Sequence, residues 1–271
     1  MKSVPALNHV QITEHVIQIG DSAGNACTLV TGSERAVLFD TMTGACDLKR
    51  YVEGLTDLPL TVILSHGHFD HSYGSWQFGR VFLNPREKTV YYANRELLPE
   101  IIRNTGSVLP AELVSGDFEL SFSDLNEGDR FDLGGITAEA VSLPGHTEGS
   151  TGLLLKEEEI LLVGDAVSPQ MTLIFNESLP VPVYLETLGK VRNLPVRSII
   201  GSHFMKAFPI SVTETFADCA KSIGKIRGMK YMFTPVPEYR GILWLYRINE
   251  PVTGETVCII TKEDAQAEFS R

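Results

Sequence analysis

The sequence predicts an α/β protein built as a four-layer αββα sandwich, with two sheets face to face and helices outside. Three observations carry this expectation. Short apolar runs alternate with helical patterns along most of the 271 residues. Each half of the chain presents strands first and helices after, without a residue-level repeat. Several strand-like runs end in small residues followed by His or Asp, the pattern expected where strand ends meet at one edge of the sheets.

Taken in order, residues 15–20, 26–32 and 35–39 read as strands separated by Gly, Ser and Asn turns. Residues 47–55 read as a short helix and 60–65 as a buried strand. A brief strand at 81–83 follows, and Pro85 opens a helix through 103, where a missing N–H is tolerated in the first turn. Strands are expected at 117–122, 129–133 and 136–143, with Gly134-Gly135 as a hairpin turn. Strands 151–155 and 159–163 are joined by Lys156-Glu157-Glu158. Helices at 184–192 and 210–227 flank a strand at 197–200. Residues 229–261 are strand-like and aromatic. No composition-shifted linker interrupts the chain, so a single domain over 1–271 is expected, with 229–271 as a strand-rich C-terminal extension.

The formal charge of −11 is a poor match for nucleic acid or an anionic membrane, and no Lys/Arg run reverses it locally. No stretch approaches the ~20 apolar residues of a membrane span, and Met1-Lys2-Ser3-Val4-Pro5 lacks the apolar core of an export signal. Cys27, Cys46, Cys219 and Cys258 are scattered, with no C-x-x-C pair, and read as reduced thiols. These features point to a cytoplasmic protein with a small-molecule substrate.

The chemistry concentrates in His66-Gly67-His68-Phe69-Asp70-His71, directly after the apolar run Thr61-Val62-Ile63-Leu64. Imidazole and carboxylate together are the ligand set of zinc and similar divalent metals. Three more polar residues close apolar runs: His146 in Leu-Pro-Gly-His, Asp165 in Leu-Val-Gly-Asp and His203 in Ile-Gly-Ser-His. Of the seven histidines, only His9 and His15 fall outside these positions. A closed structural zinc site favours four ligands and cysteine, so seven candidates point instead to a catalytic site for two ions with positions left for water.

In that order, and with 75 residues from His71 to His146, 19 to Asp165 and 38 to His203, the chain resembles the metallo-β-lactamase-fold superfamily over about residues 15–225. The resemblance implies that His66, His68 and His146 hold one metal ion, that Asp70, His71 and His203 hold a second, and that Asp165 bridges both. It implies two divalent ions, zinc first, with iron or manganese accepted by the same ligands. Asp40, closing the run Ala36-Val37-Leu38-Phe39, matches the superfamily's first, non-ligand aspartate, which receives a hydrogen bond from a metal-bound histidine; the alternative is a turn or helix-capping role.

The implied reaction is hydrolysis by a hydroxide bridging the two metals, with Asp70 orienting the nucleophile and accepting a proton. Asp at 165, where true β-lactamases of the fold carry Cys or Ser, directs the resemblance to the glyoxalase II and lactonase group. A small ester, lactone or thioester is then the expected substrate. A phosphodiesterase of the same fold and a mononuclear iron persulfide dioxygenase are the alternatives. The strand-like tail at 229–261 departs from glyoxalase II's helical, basic tail. Tyr73, Met171 and Phe175 are candidate substrate contacts, each with core packing as the competing role, and Phe204 and Met205 share the ambiguity. Tyr239 and Trp244 either cover the site or form a homodimer contact.

Overall fold

The computed structural model describes residues 4–265. The reading of the N-terminus draws partly on residues 1–3, which lie outside the described residues, as do the last six of the 229–271 extension.

The first half forms β1 (Leu7–Gln11), β2 (Val16–Asp21), β3 (Ala26–Thr31), β4 (Ala36–Phe39), β5 (Leu60–Ile63), β6 (Arg80–Leu83) and β7 (Ser121–Asp124). They lie side by side in that order in one seven-stranded sheet, antiparallel through β4 and parallel from β4 to β7. Helices α1 (Leu48–Glu53), α2 (Phe69–Ser72), α3 (Glu87–Thr105) and α4 (Ala111–Ser115) fall between these strands, with a 3-10 turn at Tyr73–Gln77. The side chain of Asp47 caps α1 by accepting from Arg50 N.

The second half supplies β8 (Arg130–Asp132), β9 (Thr137–Ser142), β10 (Thr151–Leu155), β11 (Ile160–Gly164), β12 (Gln170–Leu173), β13 (Ser198–Gly201) and β14 (Phe208–Pro209), with α5 (Val181–Arg192) and α6 (Val212–Lys221). The second sheet has the order β14-β13-β11-β10-β9-β8. Gly134 and Gly135 make the β8–β9 turn, both at positive φ.

Three apolar clusters define the layers. Val30, Val37, Phe39 and Ile63 of the first sheet meet Ala138, Leu153, Leu162 and Ile200 of the second. The outer face of the first sheet packs on α1 and α3 through Val52, Tyr91 and Leu98. The outer face of the second packs on α5 and α6 through Leu188, Val191 and Phe216. Cys27, Cys46, Cys219 and Cys258 are buried and free. No helix among the described residues is long and apolar enough to cross a membrane.

The structure differs from the sequence reading in several elements. Strand β1, α4 and β12 were not anticipated. The helix expected at 210–227 stops at Lys221, and the strand expected at 117–122 begins at Ser121. The largest difference is a third sheet. The tail folds as β15 (Gly228–Met232), β16 (Arg240–Arg247) and β17 (Val257–Thr261), and β17 pairs in parallel with β12. The tail is thereby anchored to a strand that begins five residues after Asp165. Trp244 and Ile259 bury against the second sheet's helices, while Tyr231, Phe233 and Tyr239 pack around Ile174 and Phe175.

Candidate metal centre

Every sequence-predicted ligand follows the C-terminal end of a strand, and these ends share one edge of the sandwich. Asp40 follows β4, the His66–His71 segment follows β5, His146 follows β9, Asp165 follows β11 and His203 follows β13. The sharp turns depend on glycine. A Cβ at Gly67 would stand 2.6 Å from the backbone of Glu87 and Tyr91, so only glycine lets the histidine loop lie on the start of α3. Gly164 adopts φ +53 with Ser65 packed against it.

The seven side chains converge. His66 Nε2 and His68 Nδ1 are 3.0 Å apart, and His68 Nδ1 and His146 Nε2 are also 3.0 Å apart. The other ring nitrogen of each histidine faces an acceptor. His66 Nδ1 donates to Ser65 Oγ at 2.9 Å, and that hydroxyl donates onward to Asp40. His68 Nε2 donates to Glu177 Oε1 at 2.6 Å, and His146 Nδ1 donates to the Thr172 carbonyl at 2.8 Å. With those protons committed, the three inner nitrogens present lone pairs to one another. That contact is repulsive unless a cation lies among them. Two nitrogens each about 2.05 Å from a tetrahedral zinc would stand roughly 3.3 Å apart, close to what is found.

The second group is Asp70, His71 and His203. His203 Nε2 lies 3.6 Å from Asp70, and His71 Nε2 lies 3.9 Å from it. Asp165 reaches both groups: His71 at 3.4 Å, His203 at 3.3 Å and His146 at 3.8 Å. His71 Nε2 and Asp165 Oδ1 are buried without a hydrogen bond. Buried polar atoms rarely stay unpartnered, and these two point at the centre of the cluster. The donor set therefore fits divalent cations: neutral imidazoles on one side, imidazoles and carboxylates on the other.

The electrostatics divide along nearly the same line, with His68 the exception: burial opposes its charge, but the Glu177 carboxylate outweighs burial and raises it. Burial pushes His66 well below the ordinary imidazole range, assisted by its histidine neighbours, and burial takes His146 down to about 4. Burial opposes charge on His71 as well, but Asp165, Asp70 and Asp40 hold it well above the usual range. Burial is likewise outweighed at His203, which Asp165 and Asp70 raise to about 9. Burial would raise Asp165, yet His203 and His71 hold its carboxyl well below the usual range. In the protein without metal, imidazolium protons balance the carboxylates; a divalent cation does the same with more charge in less space.

Asp40 is fully buried, at φ +67. It accepts from Ser65 N (2.7 Å), Ser65 Oγ (2.9 Å), His71 Nδ1 (2.9 Å) and Ser202 Oγ (2.8 Å), tying the ends of β4, β5 and β13 to a site histidine. The competing capping role is taken by Asp47.

A cavity of 210 Å³ opens onto the centre, with His68, Asp70, His146, Asp165 and His203 in its wall. Phe175 lines it and packs edge-on against His68 at 4.6 Å. Phe204 also lines it. Tyr73 does not reach the cavity: it is fully buried in the core under the first sheet, because the 3-10 turn rotates its ring inward. Met171 is also core, since in β12 the alternation turns Met171 and Leu173 inward and leaves Gln170 and Thr172 on the cavity side. Met205 packs near Gly20 and does not line the cavity.

Sequence reasoning missed four contributors. Glu177 orients His68. Glu87, fully buried, accepts from Gly67 N at 2.9 Å and Gly149 N at 2.8 Å, clasping the two histidine loops together. Phe233 and Val236 of the tail, with Tyr239, roof the cavity; Tyr239 was one of two readings open from sequence.

This arrangement, a His/Asp cluster at one edge of an αββα sandwich, defines a metallo-β-lactamase-fold protein. The sequence profile of the metallo-beta-lactamase superfamily matches residues 22–203, more than half of the chain, and the chain belongs to that superfamily. An uncharacterised Mycobacterium tuberculosis protein is 31% identical over 156 residues, 52% of this chain and 68% of its own length. The human acyl-coenzyme A thioesterase MBLAC2 is 30% identical over 161 residues, 51% of this chain and 57% of its own length. Among solved structures, a metallo-beta-lactamase from Pontibacter korlensis superposes with a TM-score of 0.57 at 15% identity, covering 80% of this chain and 99% of its own. At that identity the likeness is one of fold.

Proposed function

We propose that this protein is a metal-dependent hydrolase of small acyl esters, thioesters or lactones. The observation that carries the reading is the convergence of five imidazoles and two carboxylates with their outer nitrogens already committed to acceptors. His66, His68 and His146 would hold one divalent ion, zinc first, and Asp70, His71 and His203 a second, with Asp165 shared. Two such ions supply Lewis acidity and bring water within reach of deprotonation near neutral pH.

The chain's own residues do the rest. Asp70, part-exposed in the cavity wall, would orient the attacking water and take its proton. Hydrolysis adds the water oxygen to the acyl carbon, breaks the bond to the leaving oxygen or sulfur, and returns a proton to the leaving group. Glu177 and Asp40 keep His68 and His71 aimed inward. Phe175, Phe233, Val236 and Tyr239 exclude bulk water and favour an apolar acyl group. The acidic wall and the net charge of −11 disfavour phosphodiesters. The names of two relatives support an acyl substrate: human MBLAC2, and a 25% identical Aspergillus fumigatus atrochrysone carboxyl ACP thioesterase matched over 72% of this chain and 58% of its own length.

The test is a panel of esters, thioesters, lactones and phosphodiesters offered to zinc-, iron- and manganese-loaded protein, with His68→Ala as control. Acyl hydrolysis lost in the variant is expected. Activity confined to phosphodiesters, equal activity in the variant, or sulfite production from a persulfide by iron-loaded protein would overturn the reading.

A further inference from the structure

The cavity over the metal centre is not closed on all sides. A second, larger space of 620 Å³ adjoins it, and Phe69, Asp70 and Phe233 line both. This groove runs between the β2–β3 turn, the loop after β4, the segment after α3 and the tail. Its walls differ from those of the first cavity. Where Phe175, Phe204 and Tyr239 make the first cavity aromatic, Ser22, Asn25, Thr43 and Ser107 give the groove hydroxyl and amide groups. The tail spans the junction, and Asn104 Nδ2 donates to the Pro235 carbonyl at 3.2 Å, pinning that span to the end of α3. Among the described residues, neither lining holds a Lys or Arg side chain; Asp70 is the one carboxylate the two linings share, and Asp165 and Glu177 lie in the first cavity alone.

Two spaces that meet beside Asp70, one with aromatic rings in its wall and the other with several hydroxyl groups, fit a substrate with an arm on each side of the bond to be cut. We infer that the substrate carries an apolar acyl arm under the aromatic roof, and a long, uncharged, amide- or hydroxyl-bearing leaving-group arm in the adjoining groove. This rests on the hydrolase reading and specifies its substrate class. A phosphorylated arm would find no Lys or Arg along the groove to pair with, whereas an amide-bearing arm finds hydroxyl and amide groups there.

The experiment holds one acyl group fixed and varies the leaving arm: N-acetylcysteamine, pantetheine and coenzyme A, each as thioester and as oxygen-ester analogue, with metal-loaded full-length protein. Pantetheine should exceed N-acetylcysteamine at least tenfold in kcat/KM, because only the longer arm reaches the groove. Coenzyme A should give no gain over pantetheine. Ala23→Trp and, from the opposite wall, Ser107→Trp should each collapse the pantetheine to N-acetylcysteamine ratio toward one. A tenfold preference for coenzyme A over pantetheine, equal rates for the two shorter arms, or an unchanged ratio in both folded variants would overturn the inference while leaving the hydrolase intact. Failure to cleave any of the six compounds overturns the inference; the hydrolase reading falls with it only if the lactones and short esters of the first panel are also left uncleaved.

Discussion

Asp40→Asn isolates the hydrogen bonding that holds the centre together. The substitution keeps side-chain volume, and Asn tolerates the left-handed backbone at φ +67, so no new strain enters. Asp40 receives four donors: one on Oδ1, from Ser65 N, and three on Oδ2, from Ser65, Ser202 and His71. If the amide oxygen takes the first place, the new NH₂ faces His71 Nδ1–H; if it takes the second, the NH₂ faces Ser65 N–H. The serine hydroxyls can rotate to accept, but one N–H stays opposed in either case. Leaving a buried donor unpaired costs about 1–3 kcal/mol, and the lost bond was to a charged group, so about 2–3 kcal/mol of destabilisation is expected. His71 can escape only by giving up its Nδ1 proton while keeping one on Nε2, which leaves no lone pair facing the centre. Metal affinity should then fall roughly 10–100-fold. Urea unfolding of the metal-free protein and chelator competition measure the two effects. A variant within about 0.5 kcal/mol of the parent, the scatter of neutral substitutions, with unchanged metal affinity would refute the reasoning.

Other predictions follow from neighbouring contacts. Glu87→Ala leaves the Gly67 and Gly149 N–H groups unpaired and should cost about 2–6 kcal/mol in denaturant unfolding, with Glu87→Gln costing about half as much because one acceptor remains. Gly67→Ala forces the histidine loop off the start of α3, and chelator competition should show weaker metal binding along with a lowered Tm. The stability of the metal-free protein should peak near pH 6.5. His146, lowered to about 4, contributes stability that is full above 6.5 and lost as the pH falls toward 4. His203, raised to about 9, contributes stability that is full below 6.5 and lost as the pH rises toward 9. Denaturant titrations from pH 4.5 to 9 should trace that maximum, and His203→Ala should flatten its alkaline side.

The cluster at 66–71 and the polar residues at 146, 165 and 203 were readable from sequence because each is local: a costly polar group closing an apolar run. The sheets were readable for the same reason, from short-range alternation. What escaped depends on direction or on distant pairing. Tyr73 lies two residues from His71, but a 3-10 turn sends its ring into the core, and sequence proximity does not encode that rotation. Met171 and Thr172 differ by one residue and hence by a face of β12; the parity of a four-residue strand is set by its partner β17, which lies more than eighty residues on. Glu87 and Glu177 are single acids whose roles exist only through backbone and ring nitrogens brought to them by folding. The tail read correctly as strands, yet its place over the site follows from the same pairing with β12.

The most direct test is metal content. Purified protein, loaded with zinc and dialysed, should retain two ions per chain by elemental analysis, with His68→Ala and His203→Ala each retaining fewer than two and remaining folded. Parent protein that binds one ion or none after loading, or a full complement of two in both variants, would contradict the account.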